Sequence, residues 1–159
     1  MNIDELDLKI LAQLSENGRT SSAEMARKLG VNERTVANRV TSLIEQGIIS
    51  IKGVINRHFF GYEVVADILC QVETAKLEDI AKEISKFPEV SYLAISFGDQ
   101  DISIQIYSKS PKDVQDFVVN KLARFPGVIR TNTVIVPTVI KDVNDWKPNE
   151  IEQIREKVA

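Results

Sequence analysis

Arg34, Thr35, Asn38, Thr41 and Ser42 fall on one side of the segment 33–46 when its residues are set at about 100° each. Guanidinium, amide and hydroxyl groups in such a row can pair with base edges or hold phosphates, and most lie in the first two turns, where a groove-reading helix makes contact. The opposite stripe is Val36, Val40, Leu43 and Ile44. Arg39 lies at the border and is expected either to pin the helix or to reach a phosphate. Ser22 and Asn32, each at a helix start, complete a candidate nucleic-acid face of Ser22, Asn32, Arg34, Thr35, Asn38, Arg39 and Ser42.

Other chemistry is sparse. His58 is the single histidine, so a structural role is the simpler reading. Cys70 is the single cysteine, which leaves no disulfide framework or cysteine metal site within one chain and fits a reducing compartment. The sequence has no phosphate loop, no clustered metal ligands and no nucleophile–base pair. No catalytic residue, metal or cofactor is therefore expected. Asp99 and Asp101 flank a tight turn, and the nearest thing to a small-molecule site is Gly98–Asp101 beside backbone and hydroxyl groups of the last strand.

Those groups need elements to hold them. Ile3, Leu6, Ile10, Leu11 and Leu14 recur at helical spacing over 4–16, and Asn17-Gly18 is expected to end that helix through a left-handed glycine cap. Ser21-x-x-Glu24 reads as a capping box for a second helix closed by Gly30. Asn32 caps a third helix that runs to Gln46 and stops at Gly47, and an apolar strand is expected over 48–55. Two helices joined by a Gly30-Val31 turn, the second running into a strand, make a winged helix-turn-helix over residues 1–50. Residues 51–62 form a linker strand.

Beyond it the periodicity changes. Strands are expected over 63–74, 90–97, 102–107 and 128–140, with helices carrying Leu77, Ile80, Ala81, Ile84 and Phe87, and then Val114, Phe117, Val118 and Leu122. Pro137 places the end of the last strand at a sheet edge. The order β-α-β-β-α-β over 63–140 is ferredoxin-like, with both helices on one face. The other face, read as apolar, calls for a partner chain. The fold class is thus α+β, a winged helix-turn-helix followed by a ferredoxin-like domain. A tail over 141–159 holds Trp146 and a short helix with Ile151, Ile154 and Val158 on one side, expected to dock on a neighbouring surface.

Composition bounds this picture. The 159 residues, 43% hydrophobic, can bury one core or two small ones. No apolar stretch approaches the roughly 18 residues of a membrane span, and the acidic, amphipathic start is unlike a secretory signal, so a cytoplasmic location is expected. The net charge of −3 is uneven. Residues 1–57 hold eight Lys/Arg against seven Asp/Glu, and residues 58–159 hold twelve against sixteen. A head this weakly basic gains little from phosphate neutralisation, and duplication in a dimer is the natural remedy.

Read together, the chain resembles the Lrp/AsnC (feast/famine) family of transcriptional regulators over about residues 2–140. The motifs are Ile3-Asp4-Glu5-Leu6-Asp7, Asn17-Gly18-Arg19, Thr35-Val36-Ala37-Asn38-Arg39-Val40, Glu45-Gln46-Gly47-Ile48-Ile49, Gly98-Asp99-Gln100-Asp101 and Pro126-Gly127-Val128. The resemblance implies a sequence-specific head that binds double-stranded DNA and an effector domain that forms homodimers, assembled further into octamers or similar oligomers. It also implies a small-molecule effector, such as an amino acid, held by Gly98, Asp99, Gln100 and Asp101 with Thr131 or Thr133. Three features depart from the family's usual pattern, namely Ser42 where a basic residue is common, His58 after the wing, and the long tail. Two alternatives share the layout. One is a siroheme-decarboxylase-like enzyme using Arg57, His58 or Tyr62 toward a tetrapyrrole, and the other a sensor or assembly module without DNA binding.

Overall fold

The computed structural model describes residues 3–158, and side chains through residue 154. The chain forms two compact units: residues up to Val54 together with those from Lys141 onward, and Ile55–Ile140. The tail is therefore part of the N-terminal unit.

In that unit, α1 (Glu5–Glu16), α2 (Ser22–Leu29) and α3 (Glu33–Glu45) enclose a core of Ile10, Leu11, Leu14, Met25, Ala26, Val36 and Leu43. Local signals start each helix. Asp4 and Asp7 form a reciprocal capping box on α1, Ser21 Oγ accepts from the Glu24 amide at 3.2 Å, and Asn32 Oδ1 accepts from the Arg34 amide at 2.8 Å. Gly30 ends α2 in the left-handed conformation, with φ 68°.

Several expectations change here. Asn17, extended rather than left-handed, ends α1, and Gly18 serves instead for close approach, since a Cβ there would lie 3.1 Å from Ile51 Cγ2. Only half of the α2 capping box forms, because the Glu24 carboxylate turns to Lys28 at 2.9 Å. Ile44 is 43% exposed and stays off the core stripe. The strand expected over 48–55 is absent, as is the linker strand over 51–62, where Arg57–Phe60 form a 3-10 turn; the segment meets no pairing strand, and Ile48, Ile51, Val54 and Ile55 are each more than a third exposed. Extended apolar sequence is not a strand until a neighbour takes up its amides and carbonyls.

The tail supplies α6 (Asn149–Val158), which packs on α1. Ile151 is buried in the core of the unit and Ile154 packs against it. The surface that the tail was expected to seek is this chain's own first helix. Trp146 does not join the core and is 68% exposed.

The second unit is a four-stranded antiparallel sheet of order β2-β3-β1-β4, with β1 (Val64–Val72), β2 (Val90–Ile95), β3 (Ile102–Ser108) and β4 (Val128–Val136). Helix α4 (Leu77–Ile84) and helix α5 (Pro111–Asp116), which continues into π-helical turns over Phe117–Leu122, cover one face. Ala66, Ile68, Cys70, Ile102, Ile104 and Ile106 point to that side. Burial pushes the Cys70 thiol up to about 12, so it stays a neutral core group. Strand β4 is an edge and stops before Pro137.

The uncovered face is less apolar than expected. The register sets Asp67 between Gln105 and Val134, and Leu69 between Ser103 and Asn132. Gln105 Nε2 donates to Asp67 Oδ1 at 2.9 Å across it. Among the described residues, no helix is long and apolar enough to cross a membrane.

Candidate nucleic-acid interface and effector turn

The outer face of α3 is held from behind by an ion cluster. Asp7 stands at helical spacing with Ile3, Ile10 and Leu11 and is fully buried. Arg39 Nη1 reaches its two carboxylate oxygens at 3.1 and 3.0 Å, and Asp4 Oδ2 at 2.7 Å. The Asp7 amide, donating to the Asp4 carboxylate, and the Arg39 guanidinium hold Asp4 below its ordinary value. The same acids, Asp4 foremost, raise Arg39. Of the two roles expected for Arg39, the structure provides the pin. Residue type and spacing do not single out Asp7 as a candidate, although a carboxylate on an apolar stripe is the signal that could have found it.

With Arg39 turned inward, Arg34, Thr35, Asn38 and Thr41 remain exposed along α3. Arg34 and Asn38 make no side-chain hydrogen bond or ion pair among the described residues. Ser42 is half-buried and accepts from Gln46 Nε2 at 2.6 Å. The Asn32 oxygen is engaged as the α3 cap, and Ser22 is a half-buried residue in the first turn of α2. The seven residues thus separate into three exposed on α3 (Arg34, Thr35 and Asn38), a cap (Asn32), a pin (Arg39) and two half-buried serines (Ser22 and Ser42).

In the second unit, the Gly98–Asp101 turn joins β2 to β3 and is tied to β1. Asp101 donates its amide to the Cys70 carbonyl at 2.9 Å and accepts from the Val72 amide through Oδ2 at 2.9 Å. Gln71 Nε2 donates to the Asp99 carbonyl at 2.8 Å, and Ser96 Oγ to the Gln100 carbonyl at 3.0 Å. Gly98 sits at φ 144°, a conformation side chains rarely adopt. The Asp99 residue is exposed, whereas Gln100 Oε1 is buried with no partner.

Thr131 pairs with Cys70, which pairs on its other side with Ile102 next to the turn. Thr133 lies one row further, opposite Ile68. Both threonines share the helix-covered parity of the sheet, so they stand one strand away from the turn.

Arg57, His58 and Tyr62 are engaged locally. The Arg57 guanidinium donates to the Tyr62 carbonyl and lies 5.0 Å over the Tyr107 ring, and His58 Nδ1 is 2.7 Å from Glu63 Oε2.

Comparison with known proteins agrees with both halves. Residues 3–50 match the model of a winged helix-turn-helix DNA-binding domain, and residues 64–145 match that of the Lrp/AsnC ligand binding domain. An uncharacterized HTH-type transcriptional regulator of Pyrococcus horikoshii is 38% identical over 142 residues, covering 89% of this chain and 90% of its own. The solved structure of Escherichia coli AsnC superposes with a TM-score of 0.82 at 26% identity, covering 91% of this chain and 99% of its own. A Neisseria meningitidis transcriptional regulator solved as an L-Met complex has the same fold, with a TM-score of 0.87 at 24% identity, covering 94% of this chain and 99% of its own. By these matches the chain belongs to the Lrp/AsnC family of transcriptional regulators.

Proposed function

We propose that this regulator reads operator DNA with Arg34, Thr35 and Asn38 and is switched by a small molecule at the Gly98–Asp101 turn. The observation that carries the DNA reading is the exposed row of polar side chains on α3, with Arg34 and Asn38 uncommitted, on a helix fixed from behind by Asp7 and Arg39. Arg and Asn are side chains that pair with purine edges in the major groove. Ser22, Asn32 and Ser42 take the flanking role of phosphate contacts, and Arg39 is left to position α3.

A free amino acid is the effector class this reading favours. Its ammonium needs acceptors and its carboxylate needs donors. With Asp101 engaged by the Val72 amide and the Cys70 carbonyl, the exposed Asp99 carboxylate is the charged acceptor, and the amides of Gly98, Asp99 and Gln100 are the donors. The Neisseria relative was solved with L-Met, which supports the class without fixing the ligand. Thr131 and Thr133 are secondary contacts.

A dimer in the cytoplasm completes the proposal. Residues 1–54 and 141–159 carry eleven Lys/Arg against twelve Asp/Glu, so one head gains little from counterion release. Two heads would meet half-sites about one helical turn apart, or ~10 bp.

The test is selection of bound sequences from a random DNA pool at stated salt, with and without the twenty amino acids. A two-fold motif that shifts with an amino acid is expected. Arg34→Ala and Asn38→Ala each take away a side chain that pairs with a base edge, and each should lower specific affinity by about 1–3 kcal/mol. No enrichment at low salt, or wild-type binding by both variants, would overturn the assignment.

A further inference from the structure

The N-terminal unit contains a cavity of about 500 Å³ that the DNA-reading face does not use. Its walls are Leu8 and Leu11 from α1, Ile48 and Ile49 just after α3, and Trp146 and Ile151 from the tail. It is open to solvent on one side, and its volume lies within the range of clefts that take one small molecule. Most of the lining is apolar, yet Trp146 keeps 68% of its surface open rather than closing over the space. An indole left open on an apolar wall is a surface for another apolar group.

Two charged residues line the cavity, Lys147 and Glu150, and their burial separates their roles. Glu150 is exposed in the first turn of α6, where the helix dipole favours an acid and the carboxylate stays in water. Lys147 keeps only 17% of its side chain exposed, and its ion pair with Glu16 is stretched to 3.8 Å. The less exposed of the two charges is therefore positive, and its ion pair with Glu16, which is outside the lining, is a long one. A cation on an apolar wall selects an anion with an apolar body.

We propose that this cavity is a second ligand site, distinct from the Gly98–Asp101 turn, and that it takes an apolar monocarboxylate. The carboxylate would lie against the Lys147 ammonium in place of Glu16, and the hydrocarbon between Leu8, Leu11, Ile49 and the Trp146 indole. An occupant here bears on α1, the helix that supplies Leu8 and Leu11 to the cavity and Asp7 to the contact with Arg39.

The chain's single tryptophan makes the test direct. The 159-residue chain is titrated with octanoate and with octylammonium, equal in chain length and opposite in charge, below their micellar ranges, while Trp146 fluorescence is followed. Octanoate should saturate the signal and octylammonium should not. Lys147→Gln should weaken octanoate about tenfold, the value of one hydrogen bond to a charged group. Glu16→Gln, which removes the competing carboxylate, should leave octanoate binding intact or tighten it. Equal responses to the two probes, or equal weakening by both variants, would overturn the carboxylate assignment. A Trp146 signal unmoved by either probe would overturn the site.

Discussion

Helix α3 and the Gly98–Asp101 turn both carry polar side chains at a candidate site, but they use them in opposite ways. On α3 the helix is fixed by groups outside the reading row, Asp4 and Asp7 gripping Arg39, so Arg34 and Asn38 remain unspent. In the turn, Asp101 and the carbonyls of Asp99 and Gln100 are taken up by Val72, Gln71 and Ser96. On α3 the donors are left free. The turn satisfies its own backbone first and leaves few groups for a ligand. On the proposed reading, Arg39 and Asp101 position, and Arg34, Asn38 and Asp99 contact.

The comparison breaks most severely at the pin. Arg39→Met leaves the Asp7 carboxylate buried without its cation, and a broken buried pair costs about 3–5 kcal/mol. Arg39 is 32% exposed, so the lower end, about 3 kcal/mol, is expected. Amide hydrogen exchange in α1 and α3 should report it, and operator affinity should fall with it. Replacing the pair together, as Asp7→Leu with Arg39→Met, should recover most of the loss. Acid should weaken the pin as well. Asp4 has a lowered pKa, so its contribution is complete above the ordinary 3.8 and is lost as pH falls through the lowered value. Unchanged exchange in Arg39→Met would mean that the apolar stripe alone fixes α3.

A smaller effect is expected at the tail. Ile151→Ala removes a side chain that is 6% exposed in the core of the head, at about 2 kcal/mol, the low end for such truncations because the site lies at the margin of that core. Faster exchange should appear in α6 and along α1 and not in the sheet of the second unit. Equal acceleration in that sheet would contradict the assignment of the tail to the head.

What could be read from the sequence follows the range of the interactions. Caps depend on three or four neighbouring residues, so those at Ser21 and Asn32 were legible, as were the alternating isoleucines of β3, whereas Asp4, read as the first residue of a helix, is its cap. The segment 48–55 was not, because strand formation needs a partner and its apolar residues look the same with or without one. The docking of Ile151 on α1 joins the two ends of the chain, and no local pattern encodes that choice. At the candidate sites, residue types marked α3 and the turn. Whether Arg39 faced inward depended on Asp7, 32 positions away. Which aspartate of the turn served the backbone depended on the end of β1.

That last ambiguity gives the finest test of the comparison. Asp101→Ala deprives the Val72 amide of its acceptor at a place where the β1–β4 register already shifts between Gln71 and Val72. Val72 is 2% exposed, so its amide gains little from water, and a loss of about 1–2 kcal/mol is expected in the stability of the second unit. Asp99→Ala keeps the carbonyl that Gln71 uses and removes an exposed carboxylate, so stability should move by no more than about 0.5 kcal/mol. Its effect should fall on the amino-acid dependence of operator binding, read from binding isotherms with and without effector. If Asp99→Ala destabilises while Asp101→Ala alters only the effector response, the two carboxylates have exchanged roles, and the turn holds its ligand with the side chain assigned here to its own backbone.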